Sequence, residues 1–200
     1  MTAHQAQRIL NRVRICGPSG SRVEAGLSEA ELSGIESEFG FKFPPDLRLV
    51  LSLGLPTGEA FPPWRDLSRR EELRGRLSWP LEGIHYDIEH NAFWYPAWGL
   101  RPANLEEAKA VATREVAKMP KLIPVYSHRY LPAEPCEPGN PVLSVHQTDI
   151  IYYGADLLDY VKREFGWLRP ADSPDPSRRI RFWSDIIDAW GDFSDEANSP

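Results

Sequence analysis

Cysteine, long apolar runs and, over two stretches, positive charge are what this chain of 200 residues has least of. Only Cys16 and Cys136 are present, in no C-x-x-C or Cys/His spacing. That excludes a disulfide framework or a zinc motif and fits a reducing, cytoplasmic compartment. No segment approaches the ~20 apolar residues of a membrane helix, and the first 22 residues lack the apolar centre of a secretory signal. Lysine and arginine are missing from residues 82–100 and 132–161, which hold eight acids: Glu82, Asp87, Glu89, Glu134, Glu137, Asp149, Asp156 and Asp159. With a net charge of −6, the rest of the chain is left at +2. Acids grouped in this way repel phosphate backbones and favour basic protein partners, so neither nucleic acid nor membrane is an expected partner.

A catalytic set is also missing. The CGPSGSR segment at Cys16–Arg22 has two glycines but not the lysine of a phosphate loop, and reads as a turn. His85, Asp87, Glu89 and His90 are chemically suited to a divalent ion. Glu89 and His90 would nevertheless leave a strand on opposite faces, and the five-residue gap between the histidines suits a helix poorly. Cys136 is flanked by Glu134 and Glu137, which oppose a thiolate, so pairing with His128 or His146 is not expected to activate it. Ser144 and His146 would lie side by side on one strand face, with Asp149 closing the following turn through its side chain. Arg65, Arg69, Arg70, Arg74 and Arg76 are interleaved with Asp66, Glu71 and Glu72 at helical pairing distances, which describes a salt-bridged solvent face. No cofactor or metal site is expected.

What is present is a set of local fold signals. Ser28 stands three residues before Glu31, the capping-box spacing, with Leu27 and Leu32 placed as a hydrophobic staple. Leu32, Ile35 and Phe39 form one apolar stripe that ends at Gly40, a residue suited to a left-handed cap. A second helix follows from Pro44 and Pro45, burying Leu47, Val50 and Leu51 until Gly54 and Pro56. Thr57–Asp66 reads as a loop and Arg69–Leu77 as a helix. Trp79–His90 fits two periods: Ile84, Tyr86 and Ile88 alternate as in a half-buried strand, yet a helix is also possible. The aromatic segment Phe93–Gly99 reads as a loop or edge strand because of Pro96. Asn104 caps a helix to Met119 whose inner face is Leu105, Ala108, Ala112, Val116 and Met119. Strands are expected at Leu122–Tyr126, Val142–His146 and Ile150–Tyr153, the first two joined by a Pro-rich loop. Asp156 opens a helix that turns Leu157, Leu158, Val161 and Phe165 inward, Trp167–Pro176 is linker-like, and Trp183, Ile186, Ile187 and Trp190 mark a final amphipathic helix.

At the head of the chain, Arg8, Arg12, Arg14 and Arg22 meet no acid before Glu24, a pattern shared with transit peptides. The helical spacing of Ala6, Ile9, Leu10 and Val13 favours a short helix docked on the core instead. The expected organisation is a basic docking segment over 1–26, one domain over 27–166, and a linker with a packed helix over 167–200. The architecture is α+β, a small antiparallel or mixed sheet with helices on one side.

The strings FGFKFPPDLRLVLSLGLPTG and, later, GNPVLSVHQTDIIYYG leading into a helix, in this order after a capped helix, resemble the SUKH superfamily over residues 27–165. That superfamily includes bacterial immunity proteins of polymorphic toxin systems and fungal regulators of cell-wall synthesis. The resemblance implies an α+β fold and protein binding without chemistry, either neutralising a cognate toxin by covering its active surface or regulating a cellular protein unrelated to toxins. The acids beside Tyr86, Phe93, Trp94, Tyr95 and Trp98 place the expected partner surface at Glu82, Asp87, Glu89, Trp94, Tyr95 and Trp98, facing a basic toxin domain. Large aromatics also belong in cores, so Trp94 and Trp98 suit either place.

Overall fold

Local caps set most helix boundaries. In the computed structural model, which describes residues 1–166, 176 and 178–196 (190–196 by backbone alone), Thr2 and Gln5 form a capping box that starts α1 (Ala3–Cys16). α1 buries Ala6, Ile9, Leu10 and Val13. Ser28 and Glu31 start α2 (Glu29–Phe39) in the same way, and Gly40 ends it at φ 64°, the left-handed conformation that costs glycine least. Pro45 opens α3 (Pro45–Leu53), whose Leu47, Val50 and Leu51 are buried. The chain between these helices also forms a two-stranded ribbon, in which β1 (Arg22–Glu24) pairs antiparallel with β2 (Leu55–Thr57).

Residues 70–90 form a single helix, α4 (Arg70–His90), and no strand. Ile84 and Ile88 are fully buried and four residues apart, while Tyr86 is exposed, so the helical period prevails over the alternating one. Pro80 lies inside this helix and cannot donate to the carbonyl of Arg76 four residues earlier. The hydroxyl of Tyr130 donates to that carbonyl instead, at 2.8 Å. A residue 54 positions from that carbonyl thus satisfies the acceptor that the proline leaves open.

α5 (Leu105–Val116) follows, capped by Asn104. Four strands then form an antiparallel meander in the order β3 (Leu122–Tyr126), β4 (Arg129–Pro132), β5 (Val142–His146), β6 (Asp149–Gly154). β4 lies between the first two strands expected from sequence, where only a Pro-rich loop is expected. Asp156 caps α6 (Leu157–Glu164), and α7 (Trp183–Glu196) closes the described chain. The linker-like residues 167–175 and the Trp190 side chain lie outside the described residues.

The fold is α+β, with helices on both faces of the four-stranded sheet and not on one. Ile123, Leu131 and Val142 join a core with α1, α2, α3 and α6. Leu122, Tyr130, Leu143, Val145 and Ile150 point the other way into a second core with α4, α5 and α7. Cross-strand partners share faces as the pleat requires: Ile123 opposes Leu131, and Leu143 opposes both Tyr130 and Tyr152.

Candidate functional site

The acids that cluster in sequence separate in space. Asp87 is 3% exposed and turns inward from α4. Its carboxylate accepts from the Thr148 amide (2.7 Å), the Thr148 hydroxyl (2.5 Å) and the Asn91 side-chain amide (2.6 Å). Asp87 therefore closes the β5–β6 turn, the role expected of Asp149, which is exposed. Asp159 is buried and accepts from the Ala155 amide, Asp156 caps α6, and Glu137 pairs with Arg178 at 2.9 Å. Glu89 pairs with Lys109 at 2.6 Å, whose ammonium holds its carboxyl below the ordinary range. Glu82, Glu134 and Asp149 are exposed and meet no cation among the described residues.

The aromatic segment is also largely inward. Residues 96–98 make a 3-10 turn, and Trp94, Tyr95 and Trp98 are half-buried. The Trp94 indole donates to the Gly99 carbonyl (2.7 Å), and the Tyr95 hydroxyl donates to Asp185 of α7 (2.7 Å), which raises the phenol's pKa. Trp98 stacks on Phe182 at 5.7 Å and 26°. These rings fasten α7 to the second core. Of the residues expected at a partner surface, Asp87 is internal, and Trp94, Tyr95 and Trp98 are half-buried and engaged within the chain.

The outer stripe of α4 carries two of the exposed large apolar side chains among the described residues. Trp79, Glu82, Tyr86 and His90 follow one another at three- or four-residue steps, so they share one side of the helix. Trp79 is 46% exposed and Tyr86 48%. Tyr86 and His90 lie ring to ring at 4.4 Å, and Glu89 borders the stripe. The face of the helix next to the stripe is held against the β5–β6 turn by Asp87 and by Gly83, where any Cβ would come within 2.6 Å of Gln147 Cα.

Trp79 also forms the rim of a groove of about 920 Å³. The groove runs between the loop after α1 (Pro18, Ser19, Ser21), Glu59 and Ala60, the first half of α4, and the sheet residues Tyr126, Ser127, His128, Tyr130 and His146. Its own guanidiniums are occupied. Arg69 and Arg76 both bind Glu72, at 2.6 and 3.0 Å, and Arg76 also donates to the carbonyls of Glu59 and Ala60. Burial pushes the Glu72 carboxyl up, and the two guanidiniums outweigh this and hold it below the ordinary range. Burial, with Arg129 and His146 nearby, lowers the pKa of His128. The other arginines of the expected salt-bridged face are paired as well: Arg65 with Glu31, Arg70 with Glu38, and Arg74 with Glu38 and Glu71.

Residues weighed for chemistry have other partners. The Cys136 thiol donates to the Phe43 carbonyl (3.7 Å), the Ser144 hydroxyl accepts from Arg129 (2.8 Å), and His85 is hydrogen-bonded to Thr113 (2.9 Å). Among the described residues no three His, Cys, Asp or Glu side chains are grouped as a metal would need, and no helix is long and apolar enough to cross a membrane. Sequence reasoning missed Trp79 and the groove. The signal for Trp79 was its seven-residue spacing from Tyr86, visible only once 70–90 is read as one helix. No family model, no curated protein and no solved structure matches the chain.

Proposed function

We propose that this chain is a cytoplasmic, non-catalytic protein-binding domain, similar to SUKH immunity proteins, that neutralises a cognate bacterial toxin by covering its active surface. The observation that carries this reading is the α4 stripe, where two large aromatics each about half exposed lie on one helix face with Glu82 between them. Exposed aromatics rimmed by polar groups supply the apolar contact of protein interfaces, and the carboxylates beside them favour a basic partner. The order of sequence motifs between 27 and 165 supports the immunity role, and the free, exposed Cys16 and Cys136 are compatible with a reducing compartment. The contact surface assigned here keeps Glu82 and Glu89 from the sequence reading and replaces the Phe93–Gly99 rings with Trp79 and Tyr86.

The test is capture from the native host by the full chain, identification of the retained protein by mass spectrometry, and measurement of its association rate against salt. A toxin encoded beside this gene, associating more slowly at high salt and with Glu82→Gln plus Glu89→Gln, is the expected result. A retained protein whose association is indifferent to both rejects the surface, and the absence of a neighbouring toxin gene rejects the immunity role.

A further inference from the structure

The outer face of α1 is basic and its charge is unbalanced. His4, Arg8, Asn11 and Ile15 follow at three- or four-residue steps, so they share the side of the helix opposite the buried Ala6, Ile9, Leu10 and Val13. Arg14 borders this stripe and donates to the Asn11 side-chain oxygen at 3.0 Å. Lys162 of α6 borders it on the other side. Leu158 and Gln5 line one cleft at the α1–α6 seam, and a Cβ at Gly166 would lie 3.9 Å from the Arg12 guanidinium. Lys162 stands midway between Leu158 and Gly166 on the same side of α6, near the level of Arg8. No Asp or Glu occurs before Glu24, and Arg8, Arg14 and Lys162 meet no carboxylate among the described residues. The acids of the elements packed most closely on α1 are engaged elsewhere. Asp46 of α3 accepts from the Leu47 and Gly139 amides, Asp156 and Asp159 at the start of α6 accept from the Asp159 and Ala155 amides, Glu164 pairs with Arg129, and Glu24 of β1 pairs with Arg65.

We infer that this face receives an acidic helical segment of a second protein partner, whose carboxylates meet Arg8, Arg14 and Lys162 around an apolar side chain packed on Ile15. Ile15 is 77% exposed and decides between carboxylates and phosphates. An aliphatic side chain among cations adds contact area against a protein surface and contributes nothing to gripping a nucleic-acid backbone. A bilayer fits no better, because the apolar side of α1 is already spent on the core and cannot lie among lipid chains. The three- and four-residue steps of the stripe are those of the seam along which two helices pack, and guanidiniums bind carboxylates in bidentate pairs. This surface is separate from the α4 stripe, whose neighbours Ile84 and Ile88 enter the second core while α1 packs in the first. The inference therefore goes beyond the binding reading above and does not depend on it.

The probes are a peptide of three Glu-Leu-Ala-Glu repeats, the same peptide with glutamine in place of glutamate, the acidic peptide with serine in place of leucine, a short single-stranded DNA, and vesicles rich in phosphatidylserine. Each is titrated into the full chain and followed by two-dimensional amide NMR. The acidic leucine peptide is expected to shift the amides of Arg8, Asn11 and Ile15, with the glutamine peptide about tenfold weaker or worse. The serine peptide should bind about fivefold more weakly than the leucine one, and Ile15→Ser in the chain should erase that difference. Arg8→Gln with Arg14→Gln should weaken the acidic peptide by about tenfold, and raised salt should do the same to the parent chain. Equal binding of the glutamine peptide, no binding of the acidic one, or shifts confined to another surface would overturn the inference. Tighter binding of the DNA or the vesicles than of the acidic leucine peptide would overturn it as well, by assigning the face to phosphates. Any of these failures leaves the α4 reading to its own test, since capture there is read with variants of a different helix.

Discussion

Removing the Asp87 carboxylate separates a structural acid from a partner-binding one. Asp87→Ala leaves the amide and hydroxyl of Thr148 without acceptors in a site where Thr148 is fully buried. Each orphaned buried donor costs about 1–3 kcal/mol. Loss of a carboxylate desolvated without a facing cation offsets part of this, leaving an expected net cost of about 3 kcal/mol. The exposed Asn91 amide regains water and adds little. Asp87→Asn is a milder change. Its carbonyl oxygen can stand where Oδ2 stood and accept from both Thr148 groups, while Asn91 turns its own oxygen to the new amide. Only the charge-assisted part of the bonds is lost, about 1 kcal/mol. Urea unfolding, read as the shift in midpoint at constant slope, measures both. Thr148→Val in the Asp87→Ala background should show a coupling of about 1 kcal/mol or more. Asp87→Ala within about 0.5 kcal/mol of the parent, or Asp87→Asn as damaging as Asp87→Ala, would refute the account of this acid as the clasp of the β5–β6 turn. Partner capture by Asp87→Asn should match the parent.

Three further outcomes follow from the packing. Gly83→Ala gains helix propensity of about 1 kcal/mol yet brings a Cβ to 2.6 Å from the Gln147 backbone. The clash should win, and thermal unfolding should occur at a lower temperature than in the parent; an unchanged or higher midpoint contradicts the close approach. Tyr130→Phe strands the Arg76 carbonyl that Pro80 cannot satisfy and should cost about 1–2 kcal/mol, but Tyr130→Phe combined with Pro80→Ala, which restores the helical donor, should recover most of it; additive losses would speak against the compensation. Glu31 is held at a pKa of about 2 against an ordinary 4.5 by Arg65 and by the Ser28 amide and hydroxyl. Its folded-state pKa is lowered, so its contribution is present above pH 4.5 and fades as pH falls toward 2. Glu31→Gln should therefore be less stable than the parent at neutral pH, with the gap closing over that window in urea titrations, and a gap independent of pH would contradict this.

How much of this was legible in the sequence depends on how local the deciding contact is. Helix starts were legible because Ser28, Asn104 and Asp156 each act on an amide three residues away. The α4 segment was not, since the spacing of Ile84, Tyr86 and Ile88 left strand and helix both open; the Tyr130 hydroxyl and the Asp87 clasp, which tie the helix to the sheet, lie far from it in sequence. β4 escaped because Arg129–Pro132 is four residues long and ends in a proline, leaving no alternation to count. Consecutive apolar residues such as Leu122 and Ile123 do announce a sheet buried on both faces, and the two cores they enter account for helices on both sides. For the site, counting acids by segment could not distinguish Asp87, turned inward, from Glu82, turned outward. The groove draws its walls from the α1 exit, the Glu59 loop, α4 and two hairpin turns, so no contiguous string encodes it.

The most direct test of the central claim compares three full-length chains for capture of the native partner. These are the parent, the Trp79→Ala, Glu82→Gln, Tyr86→Ala variant of the α4 stripe, and an Arg8→Gln, Arg14→Gln variant of the exposed side of α1. Both sets of changes fall at exposed positions and should leave stability within about 0.5 kcal/mol per site. The account predicts that the same protein is retained by the parent and the α1 variant and lost from the α4 variant. Equal retention by all three, or loss only from the α1 variant, would contradict it.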